Sequence, residues 1–137
     1  MSDFLQWRAS LALGLPEIDT QHRALATLIN QLARSASRRE TEELLEQLYQ
    51  KTHEHFEREE ALMRAFNYEG LAEHQREHTM LLGELKCFIN QVGLGIERLD
   101  EEALQELKVW FIAHVRGSDR PMANAYHQVL KRRRPRT

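Results

Sequence analysis

Apolar residues in this chain recur every three or four positions through four long stretches, without the strict alternation that marks a half-buried strand. The first stretch runs from about Asp19 to Arg38 and places His22, Leu25, Ile29 and Leu32 on one face. The second, from about Thr41 to Phe66, aligns Leu45, Leu48, Thr52, His55, Glu59 and Leu62. The third, from about Gly70 to Val92, aligns Leu71, His74, His78, Leu81, Leu85, Phe88 and Val92. The fourth, from about Asp100 to Arg116, aligns Leu104, Leu107, Phe111 and His114, and a shorter piece follows from about Met122 to Lys131. Asp19 or Thr20 can cap the first helix and Thr41 the second. Gly14 and Pro16 fall in an N-terminal arm, residues 1–18, and Gly70, Gly93 and Gly95 punctuate the middle. Stripes of this kind are the core-facing sides of helices. Joined by short connections, they predict an all-α fold: an up-down-up-down antiparallel four-helix bundle with an N-terminal arm and a short C-terminal helix, in a single domain over residues 1–137.

The stripes break their own rule. Titratable residues stand at positions where a bundle core calls for leucine or isoleucine, and such local violations are where function is to be sought. His22 lies near the start of the first helix, His55 and Glu59 late in the second, His74 and His78 at the start of the third, and His114 near the end of the fourth, with Asp119 just beyond. In an antiparallel bundle those are all the same end. At about 1.5 Å per residue the offsets match in height, so five imidazoles and two carboxylates converge in the interior.

Composition narrows the setting. The 137 residues, 42% of them hydrophobic and 29% charged, suffice for one domain with a core. A net charge of −2 argues against a nucleic-acid partner. The single cysteine, Cys87, permits no intramolecular disulfide and fits a reducing compartment. No stretch approaches the ~18 apolar residues of a membrane span. A cytoplasmic monomer without a membrane span is expected, and its basic tail, residues 131–137, is expected to be solvated.

A buried donor or acceptor left without a partner costs roughly 1–3 kcal/mol, so a metal-free cluster of this size would be expensive. Imidazole nitrogen and carboxylate oxygen suit iron, zinc or copper. Five nitrogens, two bridging carboxylates and one bridging oxide or hydroxide fill eleven of the twelve positions of two octahedral metals. The remaining position can take a small ligand. No thiolate joins the set, which disfavours iron–sulfur and zinc–sulfur sites. The stretch "HQREH", residues 74–78, fits the H-x-x-E-H pattern of some zinc peptidases, but that reading leaves His22, His55, Glu59, His114 and Asp119 without a role. A ferritin-like oxidase requires Glu-x-x-His pairs, and no histidine here follows a glutamate by three.

The segments "WRASLALGLPEIDTQH", "HFEREEALM", "HQREH" and "HVRGSD" resemble, in order and spacing, the motifs of the hemerythrin family, and most closely its single-domain bacteriohemerythrins. The resemblance implies a non-haem di-iron centre that binds dioxygen reversibly at the open position of one iron, for storage, delivery or sensing. It implies that His74, His78 and His114 hold one iron, that His22 and His55 hold the other, and that Glu59 and Asp119 bridge the pair. The alternative on the same centre is a redox enzyme acting on peroxide or nitric oxide. Two positions depart from the family pattern. Phe111 stands where leucine is expected and would narrow a ligand pocket, and Pro121 cannot donate a helical hydrogen bond just after Asp119.

Phe56 and Phe111 are the candidate pocket walls. Met63, Met80 and Met122 are expected to fill gaps in the core, and Cys87 to be a small core residue. His53 and His127 are expected to face solvent, and Tyr49, Tyr68 and Tyr126 to lie at the boundary. His55→Ala should therefore lower metal content while His53→Ala leaves it at the wild-type level, as measured by metal analysis of the purified variants. Equal effects would refute the assignment of helix faces.

Overall fold

The computed structural model describes residues 4–95 and 98–133. Four α-helices follow an N-terminal arm: α1 (Pro16–Ala33), α2 (Arg38–Ala65), α3 (Leu71–Gly93) and α4 (Glu101–His114). A π-helical turn, Val115–Asp119, joins α4 directly to α5 (Arg120–Arg133). The start of α1, the end of α2, the start of α3 and the end of α4 meet around one buried cluster, so successive rods must alternate in direction. The architecture is the expected four-helix bundle, and no strand occurs among the described residues.

Local chemistry sets the helix ends. Pro16 opens α1, where its missing N–H costs nothing. Asp19 does not cap that helix. Its carboxylate reaches back to accept from the amides of Leu13 (2.8 Å) and Gly14 (3.1 Å), fastening the arm to the first turn. Ser37 rather than Thr41 caps α2, accepting from the Glu40 amide at 3.1 Å. Asp100 caps α4 through the Ala103 amide at 2.9 Å.

The core is a continuous apolar column. Leu25, Ile29 and Leu32 of α1 share it with Leu45 and Leu48 of α2, Leu85 of α3, and Leu107 and Phe111 of α4. The arm seals one side with the buried Leu5, Leu11, Leu13 and Leu15. Side chains of the bundle grip its backbone. Asn30 is buried and accepts from the Leu5 amide (2.6 Å) while donating to the Leu5 carbonyl (2.9 Å). Lys108 donates to the Phe4 carbonyl at 3.0 Å, and Arg120 donates to the carbonyls of Ser10 and Ala12. His127 meets the Leu13 carbonyl at 2.9 Å. The next residue, Gly14, has φ +74°, and a Cβ there would stand 3.1 Å from the His127 ring.

Several expectations are corrected. The C-terminal helix is neither short nor separate: α4, the π turn and α5 form one rod. Pro121 is tolerated because it falls in the first turn after the π segment. There the Arg120 N–H reaches five residues back to Val115, and the widened turn moves aside the carbonyl that the proline ring would strike. Cys87 is exposed, and Met80 is 56% exposed, whereas Met63 and Met122 are fully buried. His127 is half-buried against the arm, while His53 lies on the surface beside Glu57 as expected. Lys131, Arg132 and Arg133 of the basic tail end α5 exposed; residues 134–137 lie outside the described residues.

Asn30→Ala would strand both main-chain polar groups of the buried Leu5. It should destabilise the protein by about 2 kcal/mol or more, read as a lowered midpoint in urea unfolding followed by circular dichroism.

Candidate metal centre

All seven candidate residues are buried: Glu59 and Asp119 are 0% exposed, His22 and His78 1%, and His55, His74 and His114 under 8%. The helix period explains most of the arrangement. His55 and Glu59, and likewise His74 and His78, are four apart and share a face. His114 and Asp119 are five apart, which on an α-helix would set them about 140° apart in azimuth. The π turn between them closes over five residues instead and brings the Asp119 carboxylate to 3.1 Å from His114 Nε2.

The two carboxylates divide the imidazoles into two sets. Glu59 Oε1 lies 3.1 Å from His78 Nε2 and 3.6 Å from His74 Nε2. Asp119 Oδ1 lies 3.0 Å from His74 Nε2 and is the oxygen that faces His114. The second oxygens turn the other way: Glu59 Oε2 sits 3.2 Å from His55 Nε2 and 3.7 Å from His22 Nε2. Asp119 Oδ2 sits 2.9 Å from His22 Nε2. Two nests of donor atoms result, His74, His78 and His114 with both carboxylates, and His22 and His55 with the same two carboxylates.

Many of these contacts are close yet badly aligned for hydrogen bonding. Both Glu59 oxygens and the Nε2 atoms of His55, His78 and His114 are buried without a hydrogen-bond partner. At roughly 1–3 kcal/mol each, five such atoms would consume much of a stability of about 5–15 kcal/mol. All five face the nests, and all are atoms a cation satisfies. Nitrogen and carboxylate oxygen without thiolate suit iron and similar divalent or trivalent ions. The residues present fit a metal pair.

Electrostatics points the same way. Burial opposes charge on His22 and His74, but the carboxylates of Asp119 and Glu59 outweigh it, and both rise from 6.5 to about 9. His114 is raised as well, burial again being outweighed, chiefly by Asp119. Burial and the neighbouring Glu59 charge push Asp119 upward, yet the adjacent His114, His22 and His74 imidazoles bring it down to about 2. Glu59, although buried, is held well below the usual carboxylate range by His55, His22 and His74. The carboxylates are thus held ionised, and His22, His74 and His114 would have to give up protons to bind a metal.

An outer ring of polar residues, not foreseen from the sequence, steadies the imidazoles from behind. Gln21 Oε1 lies 2.6 Å from His55 Nδ1, Glu60 Oε2 2.9 Å from His78 Nδ1, and Glu77 Oε1 2.7 Å from His114 Nδ1. Glu77, the glutamate of "HQREH", is held in turn by the Ser118 hydroxyl at 2.6 Å. Each brace directly adjoins in sequence a residue of the inner cluster: Gln21 precedes His22, Glu60 follows Glu59, and Glu77 precedes His78. That adjacency was the available signal. Phe56 stacks flat on His78, with ring centroids 3.7 Å apart, and Phe111 meets His22 edge-on at 6.0 Å.

A small cavity adjoins the two-histidine nest. It is lined by His22, His55 and His114 with Leu25, Thr52, Phe56, Trp110, Phe111 and Val115, and encloses about 10 Å³ of free space. That is about the room one water-sized molecule requires. Both aromatic residues expected as pocket walls, Phe56 and Phe111, line it.

Comparison with known proteins agrees with this geometry. The family profile of the hemerythrin HHE cation binding domain matches residues 13–126. A bacteriohemerythrin of Ralstonia nicotianae is 32% identical over 118 residues, spanning 86% of this chain and 85% of that protein. One from Stenotrophomonas maltophilia is 29% identical over 123 residues, spanning 88% and 80%. A crystal structure of a hemerythrin variant superposes with a TM-score of 0.83 at 22% identity, covering 90% of this chain and 97% of that one. The chain belongs to the hemerythrin family.

Metal loading near pH 7.5 should displace about two or three protons per chain from His22, His74 and His114, measured as the dependence of binding heat on buffer ionisation enthalpy. The chelated protein should show the matching stability profile. His22 and His74 have folded values above the unfolded 6.5, so their contribution is complete below that pH and is lost as pH rises through about 9. The melting temperature of chelated protein should fall across that window more than that of loaded protein.

Proposed function

We propose that this chain is a non-haem di-iron protein that binds dioxygen reversibly. In this reading His74, His78 and His114 hold one iron, His22 and His55 hold the other, and Glu59 and Asp119 bridge them. Iron held there would supply the redox chemistry needed to bind dioxygen reversibly.

One observation carries the reading: the cavity adjoins the nest that has two histidines rather than three. The poorer donor set leaves room for an exogenous ligand, and the free space touches both of its histidines but only His114 of the other nest. The chain's own residues then do two things. Leu25, Phe56, Trp110, Phe111 and Val115 wall the cavity with apolar surface, which limits water and protons beside the ligand. The carboxylates and the outer braces fix the imidazole rings, so that ligand entry demands little rearrangement of the cluster. Phe111, occupying more of the wall than a leucine would, keeps the space to the size of a very small molecule.

The single cysteine, Cys87, is an exposed free thiol, which supports a reducing cytoplasmic setting. No helix of the described residues is long and apolar enough to cross a membrane.

The test is spectroscopic. Protein loaded with iron should contain two iron atoms per chain, matching the two nests. After anaerobic reduction and aeration it should develop visible charge-transfer absorption, which should disappear on removing oxygen and return over repeated cycles. Irreversible bleaching in the first cycle, or turnover of peroxide or nitric oxide in place of cycling, would refute reversible binding as the function.

A further inference from the structure

Thr52 sits in the middle of α2, one turn before His55, and is 0% exposed. A threonine inside a helix ordinarily turns its hydroxyl onto the carbonyl four residues back, and this chain follows the rule elsewhere. Thr20 donates to Pro16 (2.8 Å), Thr27 to Arg23 (3.0 Å), Thr41 to Ser37 (2.9 Å) and Thr79 to Gln75 (3.0 Å). Thr52 does not: its Oγ1 is buried and has no hydrogen-bond partner. The same residue lines the small cavity beside His22 and His55, whose other walls, the histidines apart, are Leu25, Phe56, Trp110, Phe111 and Val115. An idle buried hydroxyl costs roughly 1–3 kcal/mol, and valine would fill the same volume without that cost.

We propose that Thr52 is a ligand-contacting residue, whose hydroxyl donates a hydrogen bond to a small electron-rich ligand entering the cavity at the His22/His55 side. This inference rests on the di-iron reading above. It adds that the site discriminates among ligands. A ligand whose outer atom carries negative charge, such as an anion or dioxygen drawing electron density from the metals, gains a charge-assisted hydrogen bond. A ligand lacking a good acceptor gains nothing from Thr52 and must leave the hydroxyl unpaired.

The probe is azide, titrated into the oxidised, iron-loaded protein and followed by its visible charge-transfer band. Thr52→Val should raise the azide dissociation constant about tenfold or more, and Thr52→Ser, which restores the hydroxyl, should stay within about threefold of wild type. Thr52→Val should also keep two irons per chain and melt at or above the wild-type temperature, because it removes an unpaired polar group. Equal azide affinity in wild type and Thr52→Val would overturn the proposal. So would a marked loss of iron or of thermal stability in that variant, which would show that the hydroxyl serves the ligand set or the fold. A wild-type protein that loads iron and yields no azide band would sink the open-position reading together with this one.

Discussion

Two carboxylates sealed inside a helical bundle are the constraint on which the rest of this structure depends. Glu59 and Asp119 are wholly buried, and both are held ionised. An ionised carboxylate taken out of water must be met by opposite charge or strong donors, or it takes up a proton instead. Each therefore gathers imidazoles from more than one helix. Glu59 of α2 reaches His22 of α1 and His74 and His78 of α3, while Asp119 reaches α1, α3 and the end of α4. The requirement is mutual, since removing either carboxylate would leave several buried nitrogens facing nothing. The cluster thereby specifies which ends of which helices meet, and so enforces the alternation of direction that an apolar column alone would leave weakly determined.

The outer ring extends that logic in an ordered way. Gln21 on α1 braces His55 on α2, Glu60 on α2 braces His78 on α3, and Glu77 on α3 braces His114 on α4. Adjacent residues on a helix differ by about 100° in direction. The neighbour of an inward-facing ligand therefore points at the seam with the next helix, where the next histidine presents its outer nitrogen. Position and chemistry follow from one geometric fact, repeated three times. The sequence of braces stops at the fourth seam. Ser118, adjacent to Asp119, turns to Glu77, and His22 Nδ1 is buried without a partner. The three-histidine side is thus backed by two carboxylates, whereas the two-histidine side is backed by the neutral Gln21 alone. Carboxylate braces make an imidazole a stronger donor, so the two nests differ in electron richness as well as in donor number.

Much of this was legible in the sequence because period and spacing are enough to place a side chain on a helix face. His55/Glu59 and His74/His78 are four apart, and the helix order supplied the rest of the convergence. What escaped were features that depend on partners distant in the chain. Asp19 looks like a cap by type and position, yet the Leu13 and Gly14 amides of the arm take its oxygens. His127 looks like a surface histidine, yet the folded-back arm puts the Leu13 carbonyl beside it. Cys87 and Met80 are apolar by composition and stand on α3 outside its core stripe, so residue type misled where the stripe itself did not. The π turn left a readable trace: His114 and Asp119 cannot share an α-helical face at a spacing of five, and Pro121, two residues after Asp119, lacks an N–H. Taken together those two facts require a widened turn, whereas Pro121 taken alone suggests a break.

The asymmetry of the centre finally explains where the free space lies. Phe56 stacks flat on His78 of the three-histidine nest and also stands in the cavity wall. Beside His22 and His55 a gap about the size of one small molecule remains, with His114 of the other nest also on its wall. A bundle core would normally close such a gap by drawing its helices together. Here Leu25 and Val115 share the walls with Phe56, Trp110 and Phe111, stiff rings with few rotamers, and the rods behind them are pinned through the carboxylates. The cavity persists because the buried polar cluster that ties the helix ends together also prevents the helices from collapsing onto it. Cavity and candidate metal site are therefore one construction, and the rigidity that holds the seven polar residues in place also keeps the space open.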